Sequence, residues 1–328
     1  MTADAVGGVW TYARELAAAL DAEVTIATMG PLPDERPPNV LVSTFALEWQ
    51  DDPWEDVDRA GAWLLELEEE LEPDLVHLNG YAHGSLPWRA PVVVAAHSDV
   101  CSWWWAVHDG PPPERYDRYR AAVEAGLRAA DVVVAPTRAV LCDLRRHYRL
   151  CREQAVVPNG SSFIPASAPK EPLVAALGRF WDEAKNLAAL ERARHACPWP
   201  LVVAGDGSPL GRLDGAGVRS LLARASVFAA PTRYEPFGLG ILEAARSGCA
   251  LVLGDVPSLR EVWSDAALFA PPDDDDALAA ALHLVATDEE LRDELAERAR
   301  RRAARYTVER MAAGYTAVYE RALARVTA

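Results

Sequence analysis

Pro231-Thr-Arg-Tyr-Glu235-Pro-Phe-Gly238-Leu-Gly-Ile-Leu-Glu243-Ala-Ala245 is the stretch of this sequence that most constrains its fold. It follows a short apolar run, residues 225–230, that is typical of a buried strand, and it turns into a helical pattern that ends near Gly248. Glu243 lies among apolar residues of that helix, where a charge needs hydrogen-bond partners such as the paired hydroxyls of a ribose. Two glycines make the amides at the helix start approachable by an anion or a polar ligand. The stretch therefore predicts a strand, turn and helix that hold a nucleotide sugar.

The composition is that of an acidic globular protein. Its 328 residues favour two domains over one, and half of them are hydrophobic, which is enough for two cores. The 33 basic and 49 acidic residues give a net charge of −16, and such a field repels nucleic acid and anionic membranes. We therefore expect no nucleic-acid partner.

The cysteines and the apolar runs predict a cytoplasmic protein. The five cysteines include no Cys-x-x-Cys pair and no metal-ligand spacing, so we expect reduced and mostly packed thiols. The sequence begins without a basic region followed by an apolar core, and it has no run of about 18 apolar residues. We expect a soluble, unexported protein with no integral membrane segment.

Strand and helix patterns alternate through the first half, with a proline-rich loop up to Pro38, and predict an α/β domain with a mostly parallel sheet. Residues 75–78 and 92–96 are near-continuous apolar runs, as expected of strands covered on both faces. Gly7-Gly8 opens an amphipathic helix, and such a glycine turn normally follows a buried strand. Only residues 1–5 and Val6 precede it. The first strand is therefore predicted to be short or missing, and the ancestral start to lie upstream.

Polar side chains follow two of these strands at their carboxyl ends, where ligands bind in open α/β sheets. Asn79, Tyr81 and His83 follow the first strand, and His97 and Asp99 follow the second. A single loop histidine is as often structural as functional. The polar and aromatic residues that come directly after His97 favour a functional role for it.

Trp103-Trp104-Trp105 cannot share one face of any regular element. Core packing, an acceptor platform that stacks on sugar rings, and an interface patch all stay open as interpretations. We expect at least one of the three rings in the core.

A second alternation of strands and helices begins near residue 173 and predicts a second domain. Turn and linker residues precede it, so the boundary is placed near residue 165. The expected domains are residues 1–164 and 165–328.

Two cations of the second domain lie where they could neutralise a phosphate. Arg179 and Lys185 both follow the apolar run 173–177, in a loop that leads into a helix. That helix is predicted to open at Lys185-Asn186 and to extend through His195. Arginine can bind two phosphate oxygens in a planar fork, and lysine supplies a compact charge. A departing nucleoside diphosphate needs such cations or helix N-termini when no metal neutralises it.

Two further motifs have simpler interpretations than a cofactor-binding site or a metal site. Gly205-Asp-Gly207 departs in its glycine spacing from a dinucleotide fingerprint, so we interpret it as a tight loop lining a nucleotide pocket. Asp273–Asp276 stand directly before a helical pattern, where one acid can cap the helix and the others complement its dipole. We expect neither a metal site nor a cofactor.

Together these motifs resemble those of the retaining glycosyltransferases of family 4, which have the two-domain GT-B architecture. The resemblance covers nearly the whole chain, and its most specific part is the pair of glutamates separated by seven residues. The motifs that carry it are Gly178-Arg179 with Lys185-Asn186, Gly205-Asp-Gly207, Val157-Pro-Asn-Gly160 and Pro231 to Glu243. The resemblance implies two Rossmann-like domains facing each other across a cleft, with the donor held by the C-terminal domain and the acceptor by the N-terminal one. It also implies that the last helix, at about 308–326, crosses back to the first domain.

The same resemblance assigns roles to single residues. Arg179 and Lys185 would bind the diphosphate, and Glu243 the ribose. Glu235, with the amides around Phe237 to Leu239, would hold the donor sugar. Gly8 would approach the diphosphate, and His97 would face the transferred sugar. The implied catalytic residues are Glu235, Arg179, Lys185 and His97. The implied donor-binding residues are Gly8, Gly178, Gly205, Asp206, Gly207, Phe237, Gly238, Leu239 and Glu243.

The implied function is metal-independent transfer of a hexosyl group, with retention, from a nucleoside-diphosphate sugar to an acceptor hydroxyl. The acceptor would be a glycan, a lipid or a small molecule. Retention is expected to follow a same-face attack in which the leaving phosphate accepts the acceptor's proton, so Glu235 is not assumed to be a nucleophile. A nucleotide-sugar epimerase, a phosphorylase and an inactive sugar-nucleotide-binding module stay open as alternatives.

Overall fold

The computed structural model describes residues 1–4, 7–30 and 39–326, and the chain forms two compact units. Unit 1 contains Met1–Gly160 and the chain from Val308 onward, and unit 2 contains Ser161–Thr307. Every pairing between the strands described below is parallel, as the alternation of strands and helices predicts. The predicted proline-rich loop before residue 39 lies outside the described residues.

Unit 1 contains seven of the described strands and five of the helices before residue 160. The strands are β1 (Thr2–Asp4), β2 (Ile26–Met29), β3 (Val40–Val42), β4 (Val76–Leu78), β5 (Val92–Ala95), β6 (Val132–Ala135) and β7 (Glu153–Val156). The helices are α1 (Gly8–Ala19), α2 (Trp54–Leu71), α3 (Val100–His108), α4 (Asp117–Ala129) and α5 (Arg138–His147).

The strands of unit 1 form a three-stranded sheet, in the order β1-β2-β3, and a four-stranded sheet, in the order β4-β5-β6-β7. Asn79, just after β4, joins them, because its backbone N–H donates to Thr2 Oγ1 at 2.9 Å and its side-chain Nδ2 to the Thr2 carbonyl at 2.7 Å. The first strand is short, as predicted, with three residues. It ends the three-stranded sheet on the side that faces Asn79, and Thr2 and Ala3 are buried.

The near-continuous valine runs are explained by burial on both faces of the sheet. In β5, Val92 and Val94 pack into one core and Val93 and Ala95 into another. All four residues are at most 4% exposed. The strand has no alternation of apolar and polar residues because both of its faces are buried, as is typical of parallel sheets.

Unit 2 is built on one five-stranded sheet. Its strands are β8 (Glu171–Leu177), β9 (Leu201–Ala204), β10 (Ala225–Ala230), β11 (Ala250–Gly254) and β12 (Leu268–Ala270). Its helices are α6 (Leu187–Ala193), α7 (Gly215–Arg224), α8 (Leu239–Arg246), α9 (Pro257–Trp263), α10 (Asp275–Thr287) and α11 (Glu289–Ala303). The order across the sheet is β12-β11-β10-β8-β9.

The last helix, α12 (Val308–Val326), belongs to unit 1. Its buried residues Met311, Tyr315 and Val318 share a core with Tyr12 and Leu16 of α1. Residues 308 to 326 therefore complete the core of the first unit.

Two predictions of local structure are wrong. None of Trp103, Trp104 and Trp105 is in the core, because Asp99 caps α3 in a register that buries Cys101 and Ser102. Trp103 and Trp104 are left half-buried. Trp105 is 42% exposed.

The second wrong prediction concerns the helix that begins at Lys185. Lys185 ends a 3-10 turn, Asn186 adopts a left-handed conformation with φ 57°, and α6 covers only Leu187–Ala193. The break leaves Lys185 in a loop, where its ammonium group can reach the neighbouring strand's loop. The acids before α10 do start a helix, since Asp274 accepts a hydrogen bond from the Ala277 N–H.

Candidate functional site

The strand order of unit 2 reverses between β8 and β10, since β9 lies on one side of this pair and β11 and β12 on the other. Ligands of open parallel sheets bind outside the carboxyl ends of the strands at such a reversal. Arg179 and Lys185 lie in the loop after β8, and Glu235 lies in the loop after β10. The two candidate phosphate-binding cations and the candidate sugar-binding carboxylate therefore flank this point.

Lys185 and Glu235 form an ion pair across the two loops. Lys185 Nζ donates to Glu235 Oε2 at 2.7 Å, and the side chains are 16% and 17% exposed. A pair so far removed from water interacts more strongly than a surface pair. Ser258 Oγ of α9 donates to the backbone carbonyl of Glu235 at 2.5 Å and fixes the loop from the other side. Glu235 Oε1 has no hydrogen-bond partner in the part of the chain that the structure describes.

Asn186 and Arg233 hold the two loops in register. Asn186 Nδ2 donates to the carbonyls of Pro231, at 3.0 Å, and Pro272, at 2.7 Å. Arg233 donates from its side chain to Asn186 Oδ1 at 2.9 Å and from its backbone to the Ala184 carbonyl at 2.8 Å. Asn186 is 2% exposed, so protein groups rather than water must satisfy the polar atoms of its side chain, and these hydrogen bonds do so. The geometry of the ion pair is thus set by buried neighbours.

The loops after β8 and β9 pack backbone against backbone. A Cβ atom at Gly205, where φ is +131°, would lie 1.9 Å from the Gly178 carbonyl oxygen, so only glycine fits. The Phe180 N–H donates to the Asp206 carbonyl at 2.6 Å. Gly207, with φ +82°, completes the turn. The predicted motif at residues 205–207 is thereby held beside the loop that carries the two cations.

Arg179 stacks on an aromatic ring. Its Cζ lies 5.5 Å from the ring centroid of Trp181, which is 55% exposed. A guanidinium that stacks through its face keeps its N–H edge for planar contacts with oxyanions.

The N-terminus of α8 provides approachable amides. Gly238 precedes the helix in a left-handed conformation with φ +87°, and a Cβ atom built on Gly240 meets no atom within 4 Å. Phe237 is buried and packs edge-on against Tyr306 at 5.3 Å between ring centroids, which anchors the turn. Glu243 is half-buried, one turn after Leu239. A ligand can therefore approach the first turn of α8 closely, with the helix dipole favouring an anion.

Two hydroxyl groups of these loops are buried without hydrogen-bond partners among the described residues, Thr232 Oγ1 and Ser208 Oγ. Thr232 follows β10 and is 3% exposed. A buried polar atom without a partner costs about 1–3 kcal/mol, which a ligand or a water molecule can relieve. No sequence pattern distinguishes these hydroxyls from other loop hydroxyls, so the sequence reasoning missed them. It also missed the positioning roles of Asn186 and Arg233.

Unit 1 holds the two remaining candidates. Gly8 is the first residue of α1 and is exposed, directly after Gly7 with φ 76°. His97 follows β5, where its Nε2 lies 2.8 Å from Asn79 Oδ1 and its ring packs edge-on against Tyr12 at 4.5 Å. Burial lowers the pKa of His97 to about 4, so the imidazole is neutral at neutral pH.

The structure therefore brings eleven of the thirteen predicted residues together at one edge of the unit 2 sheet. They are Gly178, Arg179, Lys185, Gly205, Asp206, Gly207, Glu235, Phe237, Gly238, Leu239 and Glu243. Gly8 and His97 follow strands of unit 1. Each helix among the described residues is too short or too polar to span a lipid bilayer.

Two family models match this chain. Glycosyltransferase Family 4 matches residues 6–161, and Glycosyl transferases group 1 matches residues 208–302. A phosphatidyl-myo-inositol mannosyltransferase of Mycolicibacterium smegmatis is 30% identical over 218 residues. That alignment covers 56% of this chain and 56% of the mannosyltransferase, so the chain matches about half the length of this relative.

Solved structures share the fold. Sucrose-phosphate synthase from Thermosynechococcus elongatus superposes with a TM-score of 0.80 at 21% identity, covering 96% of this chain and 92% of the synthase. Anabaena Alr3699/HepE in complex with UDP and glucose superposes with a TM-score of 0.76 at 17% identity, covering 96% of each chain.

Proposed function

The chain belongs to the family 4 glycosyltransferases with the GT-B fold, and from that premise we propose that it transfers a hexosyl group from a nucleoside-diphosphate sugar to an acceptor hydroxyl. Transfer is proposed to retain the anomeric configuration and to need no metal ion. The observation that carries the proposal is the ion pair between Lys185 and Glu235 at the β8/β10 reversal. It sets a cation for phosphate and a carboxylate for sugar hydroxyls within 2.7 Å of each other.

The donor is proposed to bind along the carboxyl ends of β8, β9 and β10. Arg179, Lys185 and the first amides of α8 bind the diphosphate, because they supply the positive charge that its oxygens require. Glu243 binds the ribose hydroxyls. Glu235 Oε1 accepts from a hydroxyl of the donor sugar. UDP and glucose, as bound to Anabaena HepE, belong to these ligand classes.

In the proposed step the bond between the anomeric carbon and the leaving phosphate oxygen breaks, and its electron pair stays on the diphosphate. The acceptor oxygen bonds to the same face of that carbon, and its proton passes to a phosphate oxygen. Arg179 and Lys185 stabilise the charge that develops on the diphosphate. Glu235 orients Lys185 through their short contact. Gly8 and His97 are assigned, as the resemblance implies, to the diphosphate and the transferred sugar.

The proposal is tested by assaying transfer from a panel of nucleoside-diphosphate hexoses to glycan, lipid and small-molecule acceptors. We expect turnover with one donor class, and a loss of about 100-fold to 1,000-fold in kcat for Arg179→Ala and Glu235→Gln. Arg224→Ala is the matched control, because Arg224 pairs with Glu171 at the opposite end of β8 and its side chain is 44% exposed. Full activity in both site variants would refute the assignment.

Retention of configuration and independence from metal ions are each tested by a separate measurement. The one-bond carbon–proton coupling at the anomeric centre of the new glycosidic bond, compared with the anomeric configuration of the donor, reports retention or inversion. Transfer that persists after exhaustive chelation agrees with metal independence, and transfer that returns only with a divalent ion contradicts it.

The alternatives are separated by what the protein needs for turnover. An epimerase converts the donor with no acceptor present, and a phosphorylase depends on inorganic phosphate. Donor binding without turnover across the acceptor panel would leave only a binding module.

A further inference from the structure

A chain of buried polar groups runs through unit 1 to His97. Asn79 Oδ1 lies 2.8 Å from His97 Nε2 and 3.1 Å from His77 Nε2. His77 Nδ1 in turn lies 2.6 Å from the Tyr319 hydroxyl on α12. His77 is 2% exposed, so water does not compete for these bonds. Four elements, β1, β4, β5 and α12, thus meet around one amide.

The orientation of the Asn79 amide is fixed by an acceptor. Its Nδ2 lies 2.7 Å from the Thr2 carbonyl oxygen, which can only accept a hydrogen bond. The amide nitrogen must therefore face Thr2, and Oδ1 must face the two histidines. A flipped amide would set two oxygens against each other.

The fixed amide determines where both imidazoles carry their protons. Asn79 Oδ1 is an acceptor, so each Nε2 that contacts it must carry a hydrogen. In the neutral state, His77 Nδ1 is then an acceptor, and it receives the Tyr319 O–H. His97 Nδ1 is an acceptor as well, and it has no hydrogen-bond partner in the described part of the chain.

The neutral state is the one that the surroundings favour. Burial lowers the pKa of His77 to about 3 and that of His97 to about 4. Tyr12 and Tyr315 also face this cluster, and burial raises the pKa of each above its ordinary value, so they are protonated as well. No charged side chain is needed to set the tautomer.

We propose that Asn79, His77 and Tyr319 are positioning residues that lock His97 in its Nε2–H tautomer, so that His97 presents Nδ1 as a hydrogen-bond acceptor to a sugar hydroxyl. Only the contact between His97 Nδ1 and a sugar hydroxyl rests on the proposed function. The locked tautomer is a property of the unliganded chain, and it can be measured without any substrate.

The first test is NMR of the full-length protein with 15N-labelled histidine at pH 7.5. Correlations between ring nitrogens and ring protons report the tautomer, and His97→Gln and His77→Gln identify the two signals. We expect both rings as Nε2–H, with a mixed population for His97 in Asn79→Ala. A wild-type His97 with its proton on Nδ1 overturns the inference.

The second test separates positioning from folding. Asn79→Asp keeps an acceptor for His97 Nε2 but stabilises the imidazolium, so the pH profile of kcat should gain a limb that the wild type lacks. Tyr319→Phe removes the donor to His77 Nδ1 and should shift the Nδ1 resonance of His77, while the proton stays on Nε2, which still faces Asn79 Oδ1. The control Tyr315→Phe, on the same helix, should leave that resonance unchanged. Asn79→Ala should lower kcat by about 10-fold to 100-fold with the KM for the donor unchanged. A folded Asn79→Ala protein with wild-type kcat and a wild-type tautomer overturns the inference.

The outcomes also distinguish the two proposals. Full transfer activity in His97→Gln removes the proposed role of His97, whereas the NMR result still decides whether the chain of hydrogen bonds sets its tautomer.

Discussion

Lys185 and Glu235 depend on each other and on their neighbours. Each side chain is largely buried, and a buried charge is stable only when it is paired. A bound diphosphate would give Lys185 a second anionic partner, and Glu235 Oε1 can meanwhile accept from a hydroxyl. The pair therefore holds both side chains in place before a ligand arrives, which reduces the reorganisation that binding requires.

His77 makes the stability of the protein depend on pH. Its folded pKa of about 3 lies below the unfolded value of about 6.5, so between these values the unfolded chain binds more protons. Stability is therefore lost as the pH falls through this window, by about 2 kcal/mol at pH 5 from His77 alone. The free energy of unfolding is measured with urea at pH 7.5 and at pH 5. We expect its decrease between these two pH values to be about 2 kcal/mol smaller in His77→Gln than in the wild type. An identical pH dependence of the two proteins would show that His77 is not buried in its neutral form.

At the scale of elements, the first turn of α8 is where stability and function should oppose each other. Gly240 lies within a helix and has open space around a Cβ atom, so Gly240→Ala should raise the free energy of unfolding by about 0.5–1 kcal/mol. The same methyl group would stand where a phosphate approaches the amides, so the KM for the donor should rise about 10-fold, roughly 1.4 kcal/mol.

The control is Gly215→Ala, in the first turn of α7, where a Cβ atom meets only the end of the flexible Arg219 side chain at 3.4 Å. It should change stability without changing the KM. If Gly240→Ala gains stability and keeps the wild-type KM, the donor does not approach α8 at this turn.

Comparison of the strands and helices with the sequence shows which patterns are enough to predict local structure. Continuous apolar runs such as Val92–Ala95 predicted buried parallel strands correctly, because burial on both faces removes any alternation. The tryptophans at 103–105 were misjudged, because hydrophobicity alone does not give the register of a helix, which here is set by the Asp99 cap. The break at Asn186 was missed for a similar reason: its left-handed conformation is held by carbonyls of Pro231 and Pro272, far away in the chain.

At the scale of the molecule, the alternation of strands and helices predicted two α/β units, and the spacing of the glutamates predicted the family. The order of the strands was not predicted from the pattern, although it decides where the loops after β8 and β10 meet. Buried contacts between distant residues, such as those of Thr2 with Asn79, also have no local signature. The residues of the candidate site could therefore be proposed from the sequence by type, whereas the residues that hold them in place could not.

The central claim is that a nucleoside diphosphate binds at the β8/β10 reversal of unit 2. Calorimetric titration of UDP, GDP, ADP, CDP and TDP into the wild type, Arg179→Ala, Lys185→Ala and the control Arg224→Ala tests it most directly. We predict that at least one nucleotide binds the wild type and Arg224→Ala equally, and that each of the two site variants binds it at least about 10-fold more weakly, a loss of roughly 1.4 kcal/mol. Unchanged affinity in Arg179→Ala and Lys185→Ala, or no binding of any of the five nucleotides to the wild type, would contradict the claim.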